Sequence, residues 1–194
     1  DRLRRLLKKK AGYRWRRCRQ SLKSRRDEAA FEREQKLLKK LHEQERLDKI
    51  DVVYFDGCGF SLKPVVPYAW QAPGEVLRLP ANSHGQRLNV LGFLQVTGNT
   101  FFHLVKGRVD SAAVIKAFDA FSETLTGDRL TLVVMDNASM HHTDEFYQRA
   151  ERWMIKGLFI HYLPPYSPEL NRIERLWREI KYRWLPLWAY QSWT

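Results

Sequence analysis

Two runs constrain this chain more than anything else in it: Val52-Val-Tyr-Phe-Asp56 and Thr131-Leu-Val-Val-Met-Asp136. Each is a nearly continuous apolar stretch that ends in an acid. Such runs belong to central strands buried on both faces, because a half-exposed strand would alternate apolar with polar residues. A third apolar run, Leu158 to Leu163, is broken only by His161.

The segments between these runs supply the remaining elements. Gly57 and Gly59 are expected to loosen the backbone after Asp56, and Ala69-Trp70 with the turn Ala72-Pro-Gly-Glu75 suggests a hairpin. Arg87–Val96 and Phe101–Val105 are rich in strand formers and are joined by a Thr-Gly-Asn turn at 97–99, giving three antiparallel strands early in the chain. Asp110 or Ser111 caps a helix with Val114, Ile115, Phe118, Phe121 and Leu125 on one face, ended by Gly127. A loop, Asn137 to His142, leads to a helix capped by Thr143 and ended by Gly157. Pro164 and Pro165 turn the chain after the third run. Ser167 as N-cap and Pro168 as first residue then open a helix whose apolar face is Leu170, Ile173, Leu176, Trp177 and Ile180. The order is three antiparallel strands, helix, strand, helix, strand, helix: a mixed α/β chain.

Charge divides the chain unevenly. Of 194 residues carrying a net +12, residues 1–49 hold 19 Lys/Arg against 8 Asp/Glu, and the rest hold 15 against 14. Nearly all the excess therefore lies in a basic helical N-terminal arm, residues 1–49, ahead of a near-neutral domain over 50–194. That asymmetry suits a polyanion, and Arg14, Trp15, Arg16, Arg17, Lys23, Arg25 and Arg26 are the candidate nucleic-acid contacts, with Trp15 available for stacking. The alternative is a solvated helical linker. Phe31, Leu37, Leu38 and Leu41 fit one face of a helix in this arm. No apolar run approaches the roughly 18 residues of a membrane span. Cys18 and Cys58 match no zinc spacing, which suits reduced thiols in an intracellular protein. A chain opening on Asp1 is expected to be part of something longer.

Asp56, Asp136 and Glu174 are the candidate acids. An Asp at a strand end is often only a turn former. Three carboxylates brought together, however, need a cation between them, and hard oxygen donors select Mg²⁺ or Mn²⁺. Glu174 lies about 40° round the helix from Leu170, at the edge of the apolar stripe. It is expected to sit more than a turn into the helix, with nothing to gain from the helix dipole, whereas Glu169 is placed for the helix N-terminus. Trp70, Trp153 and Trp177 are expected in the core, and His84, His103 and His161 show no ligand spacing.

The string Leu163-Pro-Pro-Tyr-Ser-Pro-Glu-Leu-Asn-Arg-Ile-Glu-Arg-Leu-Trp177 closely resembles the third catalytic motif of mariner-like transposases, especially their bacterial insertion-sequence relatives. Tyr54-Phe-Asp-Gly-Cys-Gly-Phe-Ser-Leu62 looks like the first motif and Val134-Met-Asp-Asn-Ala-Ser-Met-His141 like the second; the likeness runs from about Asp51 to Lys181. Arg172 stands where the family has proline, and Gly57 where it commonly has Glu. The resemblance implies an RNase H-like mixed sheet with flanking helices, and a D-D-E site of Asp56, Asp136 and Glu174 holding two Mg²⁺ ions, with Mn²⁺ able to substitute. It gives Asn137 and His141 as candidates for substrate contact or for holding the loop. It implies metal-dependent cleavage of double-stranded DNA at element ends and joining of the 3′-hydroxyls to target DNA, typically at TA, by a homodimer in a bacterial cytoplasm. An RNase H-like nuclease without strand transfer and a non-catalytic DNA-binding remnant are the rival functions.

Overall fold

Val52, Val53 and Tyr54 are wholly shielded from solvent, as a strand covered on both faces must be. The computed structural model describes residues 2–10, 12–14, 23–65, 70–76, 78 and 87–191. Five strands form one sheet in the order β3-β2-β1-β4-β5: β1 Ile50–Ser61, β2 Arg87–Gln95, β3 Thr100–Lys106, β4 Leu130–Met135 and β5 Leu158–Tyr162. The first three pair antiparallel, and β4 and β5 add parallel on the other side of β1. The mixed sheet and its antiparallel start are as the sequence indicates.

Alternation along β1 builds two cores. Val53 and Phe55 face one side with Phe93, Val133 and Met135, covered by α3 (Ser111–Ser122) and α4 (Asp144–Ile155). Val52, Tyr54 and Cys58 face the other with Val134, covered by α2 (Glu28–Arg46) and α5 (Ile173–Glu179). Fully buried side chains such as Phe118 and Ile173 each contribute about 1.5–3 kcal/mol by leaving water. Asp110 and Thr143 cap α3 and α4 with side-chain oxygens that accept from Ala113 and Phe146 N–H, satisfying donors the helix leaves free.

Several expectations give way. β1 does not end at Asp56; Gly57 and Gly59 continue it, opposite Leu91 and Asn89 of β2. The turn at 72–75 closes through Glu75 N–H to the Ala72 carbonyl at 3.0 Å. No described residue beside it is a strand, and Trp70 is fully exposed rather than in the core. Helix α3 stops at Ser122, short of Gly127, where the hydroxyls of Ser122 and Thr124 bond back to the Asp119 and Phe121 carbonyls at 2.7 Å; such bonds compete with the helical ladder.

The last helix is broken into three pieces: a 3₁₀ turn Pro168–Leu170, α5, and a π-helical turn Ile180–Trp184. Ser167 does not cap it, because its hydroxyl turns back to the Pro165 carbonyl.

The basic segment is partly built into the sheet. In α2, Leu38 is buried in the second core with Phe31 and Leu41 beside it, while Leu37 is exposed. His42 bonds the Tyr54 hydroxyl at 2.7 Å, and Glu34 meets His161 of β5 at 2.6 Å. A further helix, α1 (Arg2–Lys10), opens the chain. Trp15, Arg16, Arg17, Cys18 and His84 lie outside the described residues.

Gly92 shows how tightly α5 is seated. A β-carbon there would stand 2.6 Å from the Trp177 ring and 3.0 Å from Ile173. Neither neighbour is free to move, since both are buried. Gly92→Ala is therefore expected to destabilise the fold by about 1–3 kcal/mol, the usual cost of overpacking. Urea unfolding measures this, and an unchanged midpoint would mean that α5 is not pressed on β2.

Candidate active site

Asp56 and Asp136 owe their alignment to strand register. The last parallel pair between β1 and β4 is Tyr54 with Val134. Asp56 stands two residues further along β1, on the same face as Tyr54 because side chains alternate with period two, and Asp136 is the first residue past the end of β4. That is the face α5 covers. Asp56 itself pairs across β2 with Gly92, the bare position on which Trp177 lies.

Past the Tyr54–Val134 pair the Phe55 carbonyl needs another partner. Asn171 supplies it: its side-chain amide donates to the Phe55 oxygen at 2.9 Å, in a buried setting. Asn171 takes an extended conformation, and α5 starts just after it. Glu174 therefore sits in the first turn of α5, where the helix dipole favours an acid, not deeper in the helix as expected. Its backbone N–H bonds the Asn171 carbonyl at 3.2 Å. One short segment thus ties β1, beside Asp56, to Glu174.

The electrostatics of the three acids differ. Burial pushes the Asp56 carboxyl up to about 7, helped by the charges of Glu174 and Asp136, against a pull from the Gly57 N–H and the Trp177 indole. Trp177 Nε1 is buried without a partner at hydrogen-bonding distance, so its influence on Asp56 is a longer-range dipole. Glu174 is raised by desolvation and by Asp136, while Arg178 and Lys181 pull it down. Asp136 is lowered, first by a hydrogen bond from His141. His141 Nε2 stands 3.3 Å from Asp136 Oδ1, and the histidine is buried while 61% of the Asp136 side chain is exposed. The other ring nitrogen of His141 is buried and unpartnered.

His141 therefore faces Asp136 from behind. Asn137 is exposed and its Oδ1 meets the ring of His142, holding the loop. Asp56 and Asp136 open into a cleft of about 520 Å³ that His141, Arg87 and Arg108 also line. Glu174 lines a separate cleft. Among the described residues no three of His, Cys, Asp and Glu gather closely enough to hold one ion together. Sharing two ions asks less, since each needs only two of the carboxylates, the remaining positions being left to water and phosphate. The donor chemistry fits: all three are hard oxygens, and burial keeps the nearby Cys58 thiol protonated by raising its pKa.

Of the candidate DNA contacts, Arg14 and Arg25 are exposed. Lys23 and Arg26 are paired with Glu169, and Arg26 also grips Glu28 and lies 3.9 Å over the Phe31 ring. Glu169 is thus an anchor for the arm. Asn171 and Trp177 lie within the stretch that resembles the third motif, though sequence reasoning gave neither a role in the site, and Gly92 lies outside the three motif stretches. An amide at the break between a 3₁₀ turn and a helix is the only local sign of the first.

Comparisons with known proteins agree with this architecture. An uncharacterized 39 kDa protein of insertion element IS630 from Shigella sonnei is 26% identical over 132 residues, 66% of this chain and 37% of that protein. The Mos1 transposase paired-end complex with left transposon end superposes with a TM-score of 0.59 at 16% identity, over 98% of this chain and 60% of that one. The Mos1 strand transfer complex gives 0.57 at 18% identity, over 94% and 52%. The chain thus spans little more than a third of its curated relative and about half to three fifths of these structures. The shared architecture is the RNase H-like fold. The description "DDE superfamily endonuclease" belongs to the family model that matches residues 51–192, most of the chain, and the chain is a member of that family.

Proposed function

We propose that this chain is the catalytic part of a DNA transposase, cutting DNA strands at element ends and joining the freed 3′-hydroxyls to target DNA. The observation that carries the proposal is the gathering of Asp56, Asp136 and Glu174, where burial first, and then the charges of Glu174 and Asp136, raise Asp56 to about 7. Membership of the endonuclease family and likeness to structures solved with transposon ends support it. In this reading Asp56 would hold both of two Mg²⁺ ions, Asp136 one and Glu174 the other. Bound there, the ions would activate a water or 3′-hydroxyl and offset charge on the departing oxygen. Mn²⁺ would substitute, as a Mos1 paired-end structure with Mn exists among the neighbours. His141 keeps Asp136 ionised and oriented. Asn171 and Trp177 hold Asp56 and Glu174 in register.

The chemistry is two displacements at phosphorus. In the first, a water oxygen bonds to the scissile phosphorus and the bond to the 3′-oxygen breaks, leaving a 3′-hydroxyl. In the second, that hydroxyl attacks a target phosphodiester and displaces its 3′-oxygen, with no net change in the number of ester bonds. Pairing two ends in this way calls for a homodimer, as the family resemblance implies. A nuclease would perform only the first step, and a remnant neither, so a strand-transfer assay with labelled ends separates the three.

Asp136→Asn and Glu174→Gln are each expected to abolish Mg²⁺-dependent cleavage while duplex affinity stays within a few-fold. Glu169→Gln should keep cleavage but loosen the arm by unpairing Lys23 and Arg26. Near-normal cleavage by either of the first two variants would remove that acid from the site.

The raised pKa of Asp56 also predicts a pH dependence. The folded chain holds a proton that the unfolded chain has released between about 4 and 7, so Asp56 costs stability as pH rises through that window. Glu174 acts in the same direction. Asp136 acts oppositely, its stabilisation being lost as pH falls below its ordinary range. Asp56→Asn should therefore melt higher than wild type at pH 8, with the gap closing toward pH 4. Mg²⁺ should raise the wild-type melting temperature at pH 8 and leave that of Asp56→Asn unchanged. A gap independent of pH would show that the Asp56 carboxyl is neither desolvated nor crowded by like charges as described.

A further inference from the structure

The outer side of α5 forms the floor of an open cleft of about 1280 Å³ that also runs against the β2–β3 turn at Gln95 to Gly98. Four arginines line it: Arg172, Arg175, Arg178 and Arg183. All four are exposed. Arg175 and Arg178 stand on α5, whose opposite face, Ile173 and Trp177, is locked into the core; Arg172 is the residue just before it and Arg183 lies in the π-helical turn that follows. The cationic side is therefore held rigidly.

The acids in this cleft are mostly engaged already. Glu169 is paired with Lys23 and Arg26 of the arm, and Glu179 with Arg183 at 3.0 Å. Glu174 is the third. The Glu169 pairing also brings the arm to the rim of the same cleft, so the arm and the arginines form one basic surface leading to Glu174. From Arg172 to Arg178 the helix rises about 9 Å. One DNA strand presents a phosphate about every 3.4 Å along the duplex axis, so this length passes two or three phosphates. Guanidinium forks suit phosphate oxygens, and four of them line this cleft.

We propose that this cleft is a phosphate track for duplex DNA, carrying the backbone from the arm along the outside of α5 to Glu174. The proposal rests on the transposase reading above and adds where the duplex lies. The track reads no sequence, because it meets phosphate alone.

The test compares Arg175→Gln/Arg183→Gln with Lys116→Gln/Arg152→Gln, a pair of equal charge on α3 and α4 on the far face of the sheet. Binding of the full chain to a 30-base-pair duplex of arbitrary sequence is measured across a salt series, with thermal unfolding to verify that both variants fold. The cleft pair should weaken binding and lower the slope of log affinity against log salt by about 0.9 for each phosphate no longer neutralised. The far-face pair should leave the slope unchanged. Equal weakening in both pairs would mean that net charge alone governs binding, and an unchanged slope in the cleft pair would mean the duplex passes elsewhere; either overturns the track. Cleavage by the wild-type chain, abolished in Asp136→Asn, is scored in parallel. If it persists while the track fails, the transposase reading stands without it; if wild type does not cleave, that reading fails independently.

Discussion

The seating of α5 on the sheet is the constraint on which the site depends. Two contacts hold it: the Asn171 amide on the Phe55 carbonyl, and the Trp177 ring on bare Gly92. The first completes a backbone group that β4 no longer reaches, and a buried carbonyl left unpaired would be costly. The second needs the absence of a side chain opposite Asp56. Together they bring Glu174, from a distant part of the chain, to the two strands that carry Asp56 and Asp136.

What these contacts assemble is electrostatically unfavourable on its own. Asp56 is desolvated and repelled by Glu174 and Asp136. Such strain is characteristic of sites built to receive a cation, and it separates the roles of the acids. Asp136, exposed and backed by His141, stays ionised most easily; Asp56 is hardest to ionise. His141 is buried, lines the same cleft and meets Asp136 through Nε2.

The basic N-terminal segment has two physical characters. Over α2 it is a structural layer, with Leu38 in the core and polar links from His42 and Glu34 to β1 and β5. Nearer its start, Arg14 and Arg25 remain exposed. Arg26, which composition alone would assign to phosphate, is instead engaged by Glu28, Glu169 and Phe31. Net charge thus marks a partner without saying which cations meet it.

Element types were legible because each rests on a local pattern. The runs at 52–56 and 131–136 could only be strands buried on both faces, and Asp110 and Thr143 stand at helix starts where their oxygens have free N–H groups to accept. The acids at 56, 136 and 174 were singled out as candidates by motif likeness, not by periodicity. Three things were not legible. β1 continues through Gly57 and Gly59 because β2 offers a ladder partner, which overrides the low strand preference of glycine. The last helix breaks at Asn171 because its side chain is drawn to a carbonyl 116 residues earlier in the chain, so Glu174 falls in a first turn that helical spacing had placed deeper. Arg26 turns inward because Glu169 lies beside it only after folding. Each is a choice between nearly equal local conformations, made by a partner remote in the chain, and a partner of that kind exists only in the tertiary structure.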